Sequence, residues 1–274
     1  MKPWLRTTLL IIFAAVFLVS GYFLVQYMVQ SRQSQDKYND LADMVQNAKP
    51  TEPPAPSDGP GEPDVTEPPS PWVEVTDPET GETVLVLPEY AELYEMNNDV
   101  VGWLAIEGTQ LNYPVMQTPD SRDYYLHRDF YREYDRHGCI YVREECDVNK
   151  PSDNLTIYGH NMKDGTMFGA LLKYEKQSFW QEHQYITFDT LTEHHTYQII
   201  AVFQTTASVG EGFSYHNFID GDENAFREFV STCKALSLYD TGVSAQYGDK
   251  LITLSTCEYT LDNGRLVVCA VRIT

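Results

Sequence analysis

Leu251-Ile252-Thr253-Leu254-Ser255-Thr256-Cys257 is followed by a polar stretch, Glu258 to Gly264, and then by Arg265-Leu266-Val267-Val268-Cys269-Ala270-Val271. Both flanks are rich in β-branched and apolar residues, and Asp262-Asn263-Gly264 between them is a turn signal. The pattern predicts an antiparallel hairpin, which would set Cys257 and Arg265 side by side at one rim of a sheet. A thiol beside a fixed guanidinium suits acyl transfer, because the thiol attacks a carbonyl and the cation steadies the charge that develops on its oxygen. The backbone N–H of Glu258, just after the thiol, is a second candidate oxyanion donor.

A thiol of this kind needs a proton partner. Asn154 to Tyr158 reads as a strand that ends in Gly159-His160, with the glycine expected to allow a sharp turn. His160 is thereby predicted to project from a strand end, as Cys257 does, and only the fold can bring the two together. His127, His137, His183, His194, His195 and His216 lie in polar, loop-like contexts and are expected to be solvated. Cys233 and Cys269 sit in apolar runs and read as small buried hydrophobes. Arg265 has an ordinary alternative as a strand-edge charge paired with Glu258 or Asp262.

The remaining pattern is mainly β. Strands are predicted at Val101–Ile106, Leu111–Met116, Gly138–Val142, Leu155–Tyr158, Tyr185–Asp189, Thr196–Thr205, Leu251–Thr256 and Leu266–Ile273. Many short strands with turn signals indicate a closed barrel or a sandwich. Helices are predicted at Glu89–Met96, at Thr166–Tyr174 and at Glu223–Leu238, the last with Phe226, Phe229, Val230, Cys233 and Leu236 at helical spacing.

Ahead of this block lies an uncharged apolar run from Thr7 to Val25, preceded by Lys2 and Arg6. It is about long enough to cross a hydrocarbon core of ~30 Å. Its length and the lack of a small-x-small cleavage site favour an uncleaved signal-anchor over a cleaved signal peptide. The organisation read from the sequence is a cytoplasmic N-terminus (1–6), a membrane span (7–27), a juxtamembrane segment and tether (28–87) and a catalytic domain (88–274). The basic N-terminus places that domain outside the cell membrane. Residues 30 to 49 have apolar positions at helical spacing and predict a short juxtamembrane helix. Pro50 to Pro71, dense in Pro, Glu and Asp, predicts an extended tether that spans on the order of 70 Å. Val73 to Val86 carries the turn signals of a short hairpin.

The chain has 274 residues and a formal net charge of −21, which excludes nucleic acid as a partner because phosphate contacts need a basic surface. Five cysteines leave at least one unpaired in a monomer. Cys139 and Cys146 do not have zinc-knuckle spacing, and the adjacent pair His194-His195 would point to opposite faces of a strand. No metal site and no cofactor fingerprint is expected.

Thr253-Leu254-Ser255-Thr256-Cys257 with Arg265, together with Tyr158-Gly159-His160, resembles the signature of the sortases, closest to class B, over roughly residues 89 to 273. The membrane segment, a helical lead-in from Pro88 to Leu104, Asn112 to Gln117 and the late helix agree with that resemblance. It implies a closed β-barrel of about eight strands with an inserted helix, and a cysteine transpeptidase of the thiol-protease type that needs no cofactor. It further implies Cys257 as nucleophile, His160 as general acid and base, and Arg265 as the oxyanion or substrate-orienting group. By the same analogy Leu126 and the loop Thr206 to His216, with Phe213, would line a peptide groove, and Ser255, Thr256 and Glu258 would contact substrate. The implied partners are the sorting-signal peptide of secreted proteins and an amino group of a peptidoglycan cross-bridge or its lipid-linked precursor. Tyr259 stands where some class B members carry an acidic residue, so no carboxylate is assigned to a triad. A pilin-polymerising sortase and a non-catalytic membrane-tethered binding barrel are the alternative readings.

Overall fold

A computed structural model describes residues 3–49, 71–208 and 210–274. Lys2 and most of the predicted tether therefore lie outside the described residues. The chain divides into two compact units, Met1–Asp40 and Leu41–Thr274.

The first unit is carried by α1, Pro3–Ala48. This is the one helix among the described residues that is long and apolar enough to cross a membrane. Phe13, Phe17, Leu18 and Phe23 are all exposed along it. The predicted juxtamembrane segment is helical, but as the continuation of α1 and not as a short element of its own, because no glycine or proline interrupts the chain between Gly21 and Pro50. The last turns of α1 belong to the second unit, where Leu41 and Val45 are buried.

The second unit opens with the predicted hairpin, β1 (Val73–Thr76) and β2 (Thr83–Val86). α2 (Pro88–Met96) follows, with proline in its first turn. Tyr94 Oη donates to Asp77 Oδ2 at 2.6 Å and ties the hairpin turn to α2. The lead-in helix stops at Met96, short of the expected Leu104, because Val100 onward is already strand.

Eight strands close into a barrel: β3 (Val100–Ala105), β4 (Asn112–Met116), β5 (Ile140–Val142), β6 (Asn154–Tyr158), β7 (Tyr185–Thr190), β8 (Thr196–Thr206), β9 (Leu251–Cys257) and β10 (Gly264–Arg272). Their order around the wall is β10-β8-β7-β3-β4-β5-β6-β9, with β9 returning to β10. Closure removes the unpaired edges that an open sheet would expose, and it decides between the barrel and sandwich alternatives. Two neighbour pairs are parallel, β4 with β5 and β6 with β9. Parallel neighbours need long connections. The one between β6 and β9 carries a 3₁₀ turn (Phe168–Glu175), α3 (Gln177–Glu182), β7, β8 and α4 (Glu223–Leu236).

α4 is capped by Asp222, whose side chain accepts from Ala225 N at 2.9 Å. Phe226, Phe229, Val230 and Cys233 pack against Ile200 and Phe203 of β8, Leu251 of β9, and Val267, Cys269 and Val271 of β10. Burial of each large side chain stabilises by roughly 1.5–3 kcal/mol. Successive strand residues alternate faces, so the face that bears Leu251, Val267 and Cys269 also bears Ser255, Cys257 and Arg265. Cys233 and Cys269 are buried in this cluster, and burial raises the Cys233 thiol pKa. All five cysteines are free thiols.

Gly159 serves a different purpose from the expected sharp turn. Its backbone is not in the left-handed region. A Cβ there would instead fall 2.6 Å from Phe168 Cγ, so the ring of the following 3₁₀ turn can seat only against a glycine. Gly159→Ala is expected to destabilise the fold by roughly 1–3 kcal/mol through overpacking. Urea unfolding of the full chain in detergent checks this, and Phe168→Leu in the same background is expected to recover part of the loss.

Candidate active site

The site follows from strand register. β6 and β9 run parallel, paired from Asn154↔Leu251 to Tyr158↔Ser255. Two residues further along both chains, this register sets His160 beside Cys257. On the other side of β9, antiparallel β10 pairs Arg265 directly with Cys257. Directly opposed residues share a face, with Cβ atoms about 4.5–5.5 Å apart. Imidazole, thiol and guanidinium thus come from three adjacent strands at one rim, with Cys257 in the middle. All three residues are half-buried.

Arg265 does not pair with Glu258 or Asp262. Its Nη1 donates to Asn263 O at 3.1 Å and to Gly264 O at 2.9 Å. These carbonyls hold one edge of the guanidinium against the β9–β10 turn. Asn263 holds the turn in a left-handed conformation, φ 53°.

Glu258 departs from expectation. Its backbone N–H donates to Gly264 O at 2.9 Å, so it extends the hairpin ladder instead of pointing at an oxyanion. Glu258 is 4% exposed, and its carboxylate accepts from Thr260 N at 2.5 Å and Leu261 N at 3.3 Å. Glu258 closes the turn from within and presents no free donor to substrate, whereas Tyr259 beside it is exposed.

His160 is oriented by backbone. Its Nε2 lies 2.7 Å from Leu126 O. A carbonyl oxygen only accepts, so Nε2 carries a proton there and Nδ1 is left as the atom that exchanges one. Leu126 therefore reaches the site through its carbonyl. His127 stacks on His160 with ring centroids 5.3 Å apart and planes 23° off parallel. Burial pushes the His160 pKa below its ordinary value; the Leu126 carbonyl opposes this, and His127 and His137, when charged, add to it.

Two histidines expected in solvent are buried. His137 is held at Nδ1 by Asp135 Oδ1 at 2.9 Å, and His195 lies near Arg272 at the far rim. His194 remains exposed and pairs with Asp189 at 2.9 Å. Among the described residues no cluster of His, Cys, Asp and Glu could hold a metal ion.

Two further expected substrate contacts are turned inward, and a third, Phe213, is half-buried. Ser255 is 1% exposed, and its Oγ lies 2.5 Å from Tyr215 Oη. Thr256 is 2% exposed, and its hydroxyl donates to Gly159 O at 2.8 Å. Phe213 packs its ring against Phe203 and Phe229, centroids 6.0 and 5.8 Å apart, and so anchors the β8–α4 loop on the wall. Two residues not singled out in the sequence join the site. Asn161 Nδ2 donates to Cys257 O at 2.8 Å. Tyr215 is buried against Ser255, and burial raises its pKa. The only sequence signals were adjacency to Gly-His for Asn161 and an aromatic two residues beyond Phe213 for Tyr215.

The family model of the sortase domain matches residues 104–273. Sortase B of Staphylococcus aureus is 35% identical over 190 residues, which is 68% of this chain and 75% of that protein. Sortase B of Listeria monocytogenes is 36% identical over 183 residues, 66% of this chain and 72% of that one. Among solved structures, the Staphylococcus aureus sortase B–substrate complex superposes with a TM-score of 0.71 at 28% identity, covering 90% of this chain and 99% of the other. A barrel of this order, a Cys–Arg hairpin beside a strand ending in Gly-His, and these likenesses converge on one conclusion: the chain belongs to the sortase family of cysteine transpeptidases, in its class B branch.

Proposed function

We propose that this chain is a membrane-anchored transpeptidase that cleaves a C-terminal sorting signal of secreted proteins and transfers them to an amino group of the cell wall. The observation that carries the reading is the register that lines up His160, Cys257 and Arg265 at one rim. In the first half-reaction Cys257 gives its proton to His160 and its Sγ bonds to the carbonyl carbon of the scissile peptide. The Arg265 guanidinium steadies the oxyanion, and the leaving amine takes a proton from His160 as the C–N bond breaks. In the second half an acceptor amine attacks the thioester and gives a proton back through His160, and the thiolate departs. The solved substrate complex of a sortase B relative supports a sorting-type peptide as the partner. The apolar helix α1 supports attachment to the cell membrane with the N-terminus inside. A membrane-held enzyme would meet a membrane-held substrate and a lipid-linked or cross-bridge amine at high effective concentration.

The test is intact mass spectrometry of the full chain in detergent with sorting-type peptides and a free amine. A peptide-acyl adduct on Cys257 that amine releases is expected. Absence of the adduct with every peptide, from a folded protein whose Cys257 also resists alkylation, would point to a binding barrel instead. Cys257→Ala should abolish the adduct. Arg265→Lys should lower kcat/KM by about 10²-fold or more, because a point charge replaces the planar fork. Cys233→Ala and Cys269→Ala should cost only stability, roughly 1 kcal/mol each.

The lowered His160 pKa also sets a pH dependence. Between the folded pKa and the unfolded value of about 6.5, the unfolded chain binds more protons, so stability rises with pH. His195 and His216 shift in the same direction, each chiefly by burial. Urea midpoints should therefore fall as pH drops from about 7 through the folded histidine pKa values. His160→Gln should show a smaller fall, and an equal fall would assign the effect to other groups.

A further inference from the structure

The backbone ladder between β6 and β9 ends at Tyr158 and Ser255, before it reaches the two residues that carry the chemistry. Beyond it lie one long contact, Gly159 N to Ser255 O at 3.3 Å, and two side-chain hydrogen bonds. Thr256 Oγ1 donates to Gly159 O at 2.8 Å, and Asn161 Nδ2 donates to Cys257 O at 2.8 Å. The first runs from the residue before the thiol to the residue before the imidazole. The second runs from the residue after the imidazole to the carbonyl of the thiol residue itself. His160 and Cys257 are thus bracketed on both sides by reciprocal cross-links.

This bracket stands where the two backbones part. β9 turns toward β10 through the bond from Glu258 N to Gly264 O, and β6 leaves the wall as the loop that returns at Phe168, whose N–H bonds His160 O at 2.9 Å. The register with β10 and the bond from Glu258 N to Gly264 O hold this end of β9 to β10, but across the β6 side at this level only the two side-chain bonds and the long Gly159 contact tie the strands together among the described residues.

Resting on the reading of Cys257 and His160 as the reacting pair, we infer that Asn161, together with Thr256, is a positioning residue that sets the spacing between thiol and imidazole. The hydrogen bonds these side chains donate go to backbone carbonyls and not to the sulfur or the ring. Asparagine suits the place because it offers an uncharged donor on a short stem. Aspartate would bring an acceptor against the Cys257 carbonyl, and alanine would leave that carbonyl untethered.

The experiment uses the full chain in detergent, with Asn161→Ala, Asn161→Asp, Thr256→Val and Thr256→Ser. Each variant is read by thermal midpoint, by kcat and KM for acyl transfer, and by the rate of Cys257 alkylation with iodoacetamide across pH. Asn161→Ala and Thr256→Val should lower kcat about 10- to 100-fold with KM within about twofold, as expected for a misplaced reacting pair. They should also displace the pH profile of alkylation, which reports the thiol in its imidazole environment. Asn161→Asp should lose at least as much as Asn161→Ala. Thr256→Ser should restore the parent values because it keeps the hydroxyl. The double variant Asn161→Ala/Thr256→Val should lose little more than the worse single one, since both act on one distance. An Asn161→Ala protein with the parent kcat and alkylation profile overturns the inference. So does a kcat that falls only in step with the folded fraction. If the parent protein transfers no acyl group from any peptide, the proposed function fails. The alkylation profiles then still decide the positioning role: a displaced profile supports it and an unchanged one overturns it.

Discussion

Everything at the site depends on β6 and β9 being parallel neighbours. Strands that run the same way end at the same rim, so the residues just past their C-terminal ends meet there. The antiparallel β10 then begins at that rim and contributes Arg265 from its start. Were β6 antiparallel to β9, the residues after Tyr158 would leave the barrel at the opposite end, beside Leu251. The pairing is reinforced by buried polar groups along the seam. Asn154 Oδ1 accepts from Thr253 Oγ1 at 2.7 Å and its amide donates to Phe218 O at 2.9 Å. The Thr253 hydroxyl and the Asn154 carbonyl oxygen meet across the seam only in this register, and a slipped register would leave them unpaired at a cost of about 1–3 kcal/mol.

The same wall has two uses along its length. Toward Leu251 and Val271 its outer face is covered by α4 and its phenylalanines. Toward the rim the cover thins to Tyr215 over Ser255, and then to the half-buried thiol and guanidinium. Apolar packing holds the strands still at one end, and at the other end Cys257 and Arg265 stay half-buried. His160 is less free than its loop position suggests, with Leu126 O on one nitrogen and the His127 ring stacked on its face.

The strands were legible because β-branched and apolar residues recur in short runs between turn residues, and all eight predicted strands appear within a few residues of their expected bounds. The Cys–Arg register was legible for the same reason, since a short turn leaves a hairpin little choice of pairing. Other features depend on contacts that no local pattern encodes. The burial of His137 and His195 comes from loops folding onto the barrel. The true requirement for Gly159 is a ring from the next turn. Thr256 could have been placed correctly from alternation alone, because a residue adjacent to Cys257 in a strand faces the other way. The parallel β6–β9 pairing, which brings His160 to Cys257, joins segments separated by about half of the domain and has no signature in either one.

The parallel seam also constrains how such a chain can change over evolutionary time. A strand read with a period of two cannot gain or lose one residue without turning its end group to the other face. An insertion within Asn154–Tyr158 or Leu251–Cys257 would therefore part the imidazole from the thiol, although neither residue had been substituted. The long excursion between these strands is under no such restriction, because loop closure grows costlier only slowly with length. Length variation among descendants of this chain should accumulate in that excursion, where it can reshape the surroundings of the site while the pairing at its centre stays in step.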